Sequence, residues 1–193
     1  MDIHEKSDWE NEIFLSVQLS GDALIHKSFE ECNFIDCEFL DCSWIDTSFM
    51  NCKFENCSLS NMILNNCKIS DVFFEECKLV GLNFSLCKKL LFSMKLDKCN
   101  VLLCDFSGLK LEKTSFCGST IRDCDFLEAN LSEADFSRCD LRGSLFENCN
   151  LRKADFRGAV NYSINPSQNI VKKARFSMPE VLSFLAPFEL DIE

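Results

Sequence analysis

Cysteine recurs along the chain in steps of five: Cys32, Cys37 and Cys42, then Cys52 and Cys57, with Cys67 and Cys77 on the same count. Fourteen thiols in 193 residues could ligate metal, form disulfides or act as nucleophiles. Their spacing argues against the first two. No CxxC pair occurs, and the acidic start MDIHEKSDWENEIF lacks the basic and apolar regions of a secretion signal. A cytoplasmic location with reduced thiols is therefore expected, and cysteine reads as a small hydrophobe. The two histidines, His4 and His26, sit in no motif. There is no GxSxG, P-loop or GxGxxG, and no isolated carboxylate pair placed for acid–base work. These absences lead to the expectation of a non-enzymatic protein with no catalytic residues, cofactor or metal.

The elements that carry the cysteines explain them better. In Phe29 to Trp44, FEECNFIDCEFLDCSW, a bulky apolar residue falls at 29, 34, 39 and 44. Five is neither the helix period of about 3.6 nor the strand period of 2. The series extends from Leu19 to Phe84 without a polar centre. It slips by two residues within 85–90 and resumes from Leu91 to Phe156, giving twenty-eight quintets. The position two before each centre is mostly Cys, Ala, Ser or Thr, and only Cys117 lies clearly off that lattice. The position just before the centre favours Asp, Asn or Ser. Glycine follows the centre by two at Gly108, Gly118, Gly143 and Gly158, as a turn requires.

Two residues in five, one small and one large, then point inward and three outward. A corner every five residues closes a four-sided coil in about twenty, and parallel coils stack at roughly 4.8 Å. On this count thiols five apart lie on adjacent sides, which suits zinc poorly. Thiols twenty apart run parallel, a poor start for a disulfide torsion. From Phe106 to Phe156 phenylalanine alternates with Leu or Ile, which places phenyl columns on two opposite sides. The expected layout is an amino-terminal cap over 1–18, a solenoid of about seven coils over 19–158, and a tail over 159–193. In that tail SMPE at 177–180 reads as a capping box. It opens a helix from about Met178 to Ala186, with Val181, Leu182 and Leu185 on the last coil.

The segments CNFIDCEF, ANLSEADFSRCDLRG and LRKADFRGA resemble the A(D/N)Lxx repeat of the pentapeptide-repeat family over roughly residues 19–158. The resemblance implies an all-β fold, a right-handed quadrilateral β-helix. The chain uses Cys more than Ala and Phe more than Leu, a change in core volume.

Charge guides the functional reading. The net charge is −11. Residues 1–90 hold sixteen Asp/Glu against seven Lys/Arg, net −9; residues 91–193 hold fifteen against thirteen, net −2. Such a surface repels phosphates, so neither nucleic acid nor a membrane is the expected partner. Counting outward positions by twenty groups Glu30, Glu31 and Asp71 on one side. Asp36, Glu55, Glu75 and Glu76 fall on the adjoining side, interrupted by Lys53 and Lys68. Outward Ile35, Leu40, Ile45 and Met50 form an apolar patch or are covered by the amino-terminal segment. Members similar in their MDIHEK-like opening and rod-plus-tail layout act on DNA gyrase. The resemblance therefore implies an acidic DNA-mimic rod that binds a type II topoisomerase, in quinolone or toxin protection. The long projecting loops of the quinolone-resistance members are absent. The alternative is an interaction scaffold or effector with another protein partner. A homodimer through the apolar tail (Val181, Leu182, Phe184, Leu185, Phe188, Leu190, Ile192) is also expected.

Overall fold

The computed structural model describes residues 2–188. Short strands wind into a parallel β-solenoid of about eight turns with almost no helix. Four faces run along the rod. Face 1 stacks Asp8–Glu10, Ser28–Glu30, Ser48–Met50 and Lys68–Ser70. Face 2 stacks Ile13–Leu15, Asn33–Ile35, Lys53–Glu55, Val72–Glu75 and Met94–Asp97. Face 3 runs from Gln18–Ser20 and Glu38–Leu40 through Ser58–Ser60, Lys78–Val80 and Asn100–Leu102 to Thr120–Arg122. Face 4 is held by isolated parallel bridges such as Ala23 to Ser43 and Ser43 to Ile63. Each coil buries its central residues against the coils above and below, so no single coil is stable alone.

The phenyl columns stack as the alternation requires. Face 2 carries Phe14, Phe34, Phe54 and Phe74 with centroids 4.8, 4.5 and 5.0 Å apart. Higher on the same face come Phe116, Phe136 and Phe156, at 4.6 and 5.0 Å. Face 4, opposite, carries Phe84, Phe106, Phe126 and Phe146 at 5.0, 5.0 and 4.9 Å. The two columns meet edge-to-face across the core, as Phe126 does with Phe136 at 5.7 Å. Thirteen of the fourteen cysteines are buried, and Cys117 is partly exposed.

Corners come in two kinds. From Phe106 onward the amide three residues after a centre usually closes a turn onto its carbonyl, as Ala134 N does onto Leu131 O at 3.1 Å. An Asp or Asn just before the centre accepts the amide two residues on, as Asp135 Oδ1 does from Ser137 N at 2.8 Å. In the first half most corners stay open. Their second residue still has a positive φ, near 53° at Asn51, Asn61 and Asp71, where Asn and Asp tolerate the left-handed region. The carbonyls of these centres take the ladder amide of the coil above, and thiols from that coil add a second donor: Cys37 Sγ donates to Phe14 O, Cys52 to Phe29 O and Cys57 to Phe34 O, each at 3.3 Å. Thr47 does the same to Leu24 O at 2.6 Å. Met62, Val72 and Leu82 occupy the same lattice position without a donor.

Several expectations are corrected. Leu91 is not a core centre: it is 67% exposed and sits at a positive φ of 61°. Phe92 is buried in its place, followed by buried Met94, because the two extra residues are absorbed by an outward kink that carries Leu90 and Leu91. Across the kink the strand offset is twenty-two residues (Glu75 with Asp97), where on either side it is twenty (Glu55 with Glu75, Asn100 with Thr120). The amino-terminal segment continues the coil: Trp9 pairs with Phe29 and Phe14 with Phe34, both buried. The tail coils too, with Ile164 beside Phe146 and Phe176 beside Phe156. The capping helix is a 3-10 helix, Glu180–Phe188. Ser177 Oγ accepts Gly158 N at 3.2 Å, so it tethers the helix to the coil below. Phe184, not exposed Leu182, reaches the core, edge-on to Phe176 at 4.7 Å. Leu190 and Ile192, and the side chain of Phe188, lie outside the described residues.

Candidate protein-binding face

The seven carboxylates singled out from the sequence lie on face 2, at both of its corners and at the adjoining edge of face 1. Register places Glu30 between Glu10 below and Met50 above. Glu31 and Asp71 are exposed corner residues at positive φ, 52° and 53°. Asp36 is exposed at the far corner of face 2, where Asn56 Nδ2 donates to it at 2.6 Å. Glu55 and Glu75 stand in register on face 2, and both reach Lys53 Nζ at 2.7 Å. Held by the hydrogen bonds it donates to Glu55 and Glu75, the Lys53 ammonium is pushed up to about 12. Glu76 lies 3.6 Å from Lys98. Asp71 accepts Ser93 Oγ at 3.1 Å.

The seven thus divide. Glu55, Glu75 and Glu76 share two lysines, whereas Glu30, Glu31, Asp36 and Asp71 make no ion pair among the described residues. The unpaired group keeps its full field, which a surface ion pair largely cancels. Sequence counting grouped the columns but could not see Lys53 bridging two coils, because that contact depends on side-chain reach across the ladder.

The opposite face differs. In the lower four coils the outward positions of face 4 are Ala23, Ile25, Ser43, Ile45, Ile63, Asn65, Asn83 and Ser85, with no charge among them. The outward apolar residues noticed in the sequence scatter: Ile35, Ile45 and Met50 are half-buried, and Leu40 is 38% exposed. The amino-terminal segment does not cover them, since it forms the first coil.

A cavity of about 10 Å³ near Trp44 and Phe84 has an entirely apolar lining. Burial pushes the thiols of Cys52 and Cys67 up to about 12, so they stay protonated and inert at neutral pH. Among the described residues no group of three or more His, Cys, Asp or Glu is arranged to hold a metal. No helix among them is long and apolar enough to cross a membrane.

One outward aromatic residue escaped the sequence reading. Phe73, in strand Val72–Glu75, points outward and is half-buried. The signal was the doublet at Phe73 and Phe74: a ring occupies the position that elsewhere favours Asp, Asn or Ser.

Comparison with known proteins agrees with this architecture. Residues 87–156 match the family model for the pentapeptide repeat region, and residues 28–66 match the model for pentapeptide repeats (8 copies). No curated sequence matches the chain. Among solved structures, a trypsin-treated form of QnrB1, a plasmid-mediated fluoroquinolone resistance protein, superposes with a TM-score of 0.60 at 16% identity. The match covers 93% of this chain and 99% of that one. A second trypsin-treated form gives 0.59 at 15% identity, covering 96% and 99%. At these identities the likeness is one of fold.

Proposed function

From the premise that this chain belongs to the pentapeptide-repeat family, we propose that it is a non-enzymatic protein-binding rod whose acidic edge imitates duplex DNA toward a type II topoisomerase such as DNA gyrase. One observation carries the reading: Glu30, Glu31 and Asp71 stand unpaired at the corner of faces 1 and 2, with unpaired Asp36 across face 2 at its far corner. A basic DNA-binding groove would meet that edge with complementary charge and reject most other surfaces. The name of the QnrB1 structures, fluoroquinolone resistance, supports this direction. The pairing of Glu55, Glu75 and Glu76 with Lys53 and Lys98 shortens the free stripe, which favours a second reading: a scaffold for a different basic protein.

The test is gyrase supercoiling, with and without a quinolone, in the presence of the protein. Charge reversal of Glu30, Glu31, Asp36 and Asp71 to Lys should leave thermal melting unchanged, because all four are exposed. It should abolish the effect on gyrase, and the wild-type effect should fade as salt rises. Undiminished action of the folded, charge-reversed protein overturns the mimicry and leaves the scaffold reading.

A further inference from the structure

Phe73 is the one aromatic side chain among the described residues that the coil turns outward. It stands in register between Lys53 below and Lys95 above. Lys53 Nζ already lies 5.9 Å from the ring centroid, so one flank of the ring holds a cation. The other flank opens into a surface hollow of about 380 Å³ lined by Asp71, Val72, Phe73, Ser93, Met94 and Lys95. The hollow exists because the coil is two residues longer here. Ser93 Oγ takes the Asp71 amide at 2.7 Å, and the face 1 ladder gives way beside it. On the neighbouring column of face 2 stand Glu55, Glu75 and Asp97.

We propose that Phe73 and this hollow anchor an arginine of a basic protein partner. The inference rests on the acidic-edge reading and names the contact at its centre. A guanidinium is planar and weakly hydrated, so it can stack on the open face of the phenyl ring while its N–H groups reach the Asp71 carboxylate. A lysine ammonium holds its water more tightly and gains less from the ring. Lys95 is the one opposing charge in the lining, and an incoming arginine must displace it towards solvent, where it is already exposed. An aromatic ring in a hollow, ringed by polar residues, is where interface energy concentrates. The surrounding carboxylates repel lipid and nucleic-acid phosphates, which leaves a protein as the occupant.

The experiment uses fluorescent nona-arginine and nona-lysine peptides, with binding read by anisotropy at matched ionic strength. The wild-type protein should prefer the arginine peptide by about three- to tenfold. Phe73→Leu, which keeps bulk but loses the ring, should level the two, and Phe73→Trp should restore the preference. Melting curves confirm that each variant is folded. Equal affinities in the wild type, a preference that survives in Phe73→Leu, or binding of neither peptide overturns the anchor. The two readings fail separately. If charge reversal at Glu30 and Glu31 abolishes action on gyrase while the peptides bind equally, the acidic edge stands and the anchor falls. If the arginine preference depends on Phe73 but gyrase is untouched, the anchor serves a different basic protein.

Discussion

The lower and upper halves of the rod solve one problem in two ways. Each corner must place a buried carbonyl, and a buried carbonyl without a donor costs roughly 1–3 kcal/mol. The upper half closes the turn with its own backbone, as at Ala129 N to Phe126 O and Ala154 N to Leu151 O, both 3.1 Å. A lattice donor is then optional: alanine stands at 129, 134, 154 and 159, while Cys139 and Cys149 still donate to Phe116 O and Phe126 O at 2.9 and 2.8 Å. The lower half keeps its corners open and strand-like: the ladder amide of the next coil takes the carbonyl, and side chains from that coil add a second donor. Cysteine suits that task because it is small enough for the lattice and still carries an S–H. Its abundance in the lower half goes with that combination of small size and donor capacity.

The largest expected effect follows from pH. Burial raises the thiols of Cys32, Cys42, Cys52, Cys67 and Cys87 in the lower half, but only those of Cys139 and Cys149 lead with that cause in the upper half. Unfolded thiols lose their proton above about 8.5, whereas Cys52 and Cys67 keep theirs in the fold until about 12. Between those limits the folded state binds more protons than the unfolded one, so stability falls as pH rises. The stabilisation is intact below about pH 8.5 and is lost through about pH 12. Each such thiol contributes about 1.4 kcal/mol per pH unit in that window. The lower half should therefore melt first on alkaline titration. Amide hydrogen exchange resolved by segment at pH 9–11 checks this, and simultaneous loss of both halves would break the comparison.

Next in size is the phenyl column of the upper half. Phe136 is fully buried, stacked on Phe116 at 4.6 Å and on Phe156 at 5.0 Å, with Phe126 and Phe146 edge-on at 5.7 Å. Phe136→Ala should cost about 3–5 kcal/mol, since rigid coils on both sides cannot collapse into the void. Phe136→Asp should cost more, because it also buries an unpaired charge. Denaturant melts provide the measure, and a loss below about 1 kcal/mol for Phe136→Ala contradicts its place in the column.

Much of this was legible in the sequence because the coil imposes its period on every residue. The apolar centres predict the inward positions, and the alternation from Phe106 to Phe156 predicts the two opposite columns. What escaped depends on side chains or on irregular backbone. Leu91 fits the period, yet Phe92 is buried instead, because two extra residues can be absorbed in more than one register and the larger ring wins the core. Trp9 and Phe14 lie on the five-residue count as well, but polar surroundings hid the first coil. The SMPE signal promised an α-helix; Ser177 instead spends its hydroxyl on Gly158. Among the acidic residues, spacing gave the columns, while the bridge from Lys53 to Glu55 and Glu75 depends on a lysine stem crossing between coils.

The finest test exchanges the two corner solutions. Cys57 Sγ donates to Phe34 O at 3.3 Å, across an open corner that no backbone amide closes. Cys57→Ala removes the thiol and leaves that carbonyl with its ladder amide alone, at a cost of about 1–2 kcal/mol including the small lost volume. Cys57→Ser keeps a donor and should recover part of the loss. The reciprocal change, Ala134→Cys, places a thiol one coil above Leu111, whose carbonyl already receives Thr114 N at 3.2 Å. The new thiol would be a second donor, as Cys139 is to Phe116 O at 2.9 Å, but the extra sulfur must fit a close-packed site shaped around alanine. The expected change is therefore near zero or mildly unfavourable, within about 1 kcal/mol. Chemical denaturation of the three variants decides it. If Cys57→Ala is neutral, or if Ala134→Cys stabilises as much as Cys57→Ala destabilises, thiol donation is not what distinguishes the halves. The cysteines would then be filling volume alone.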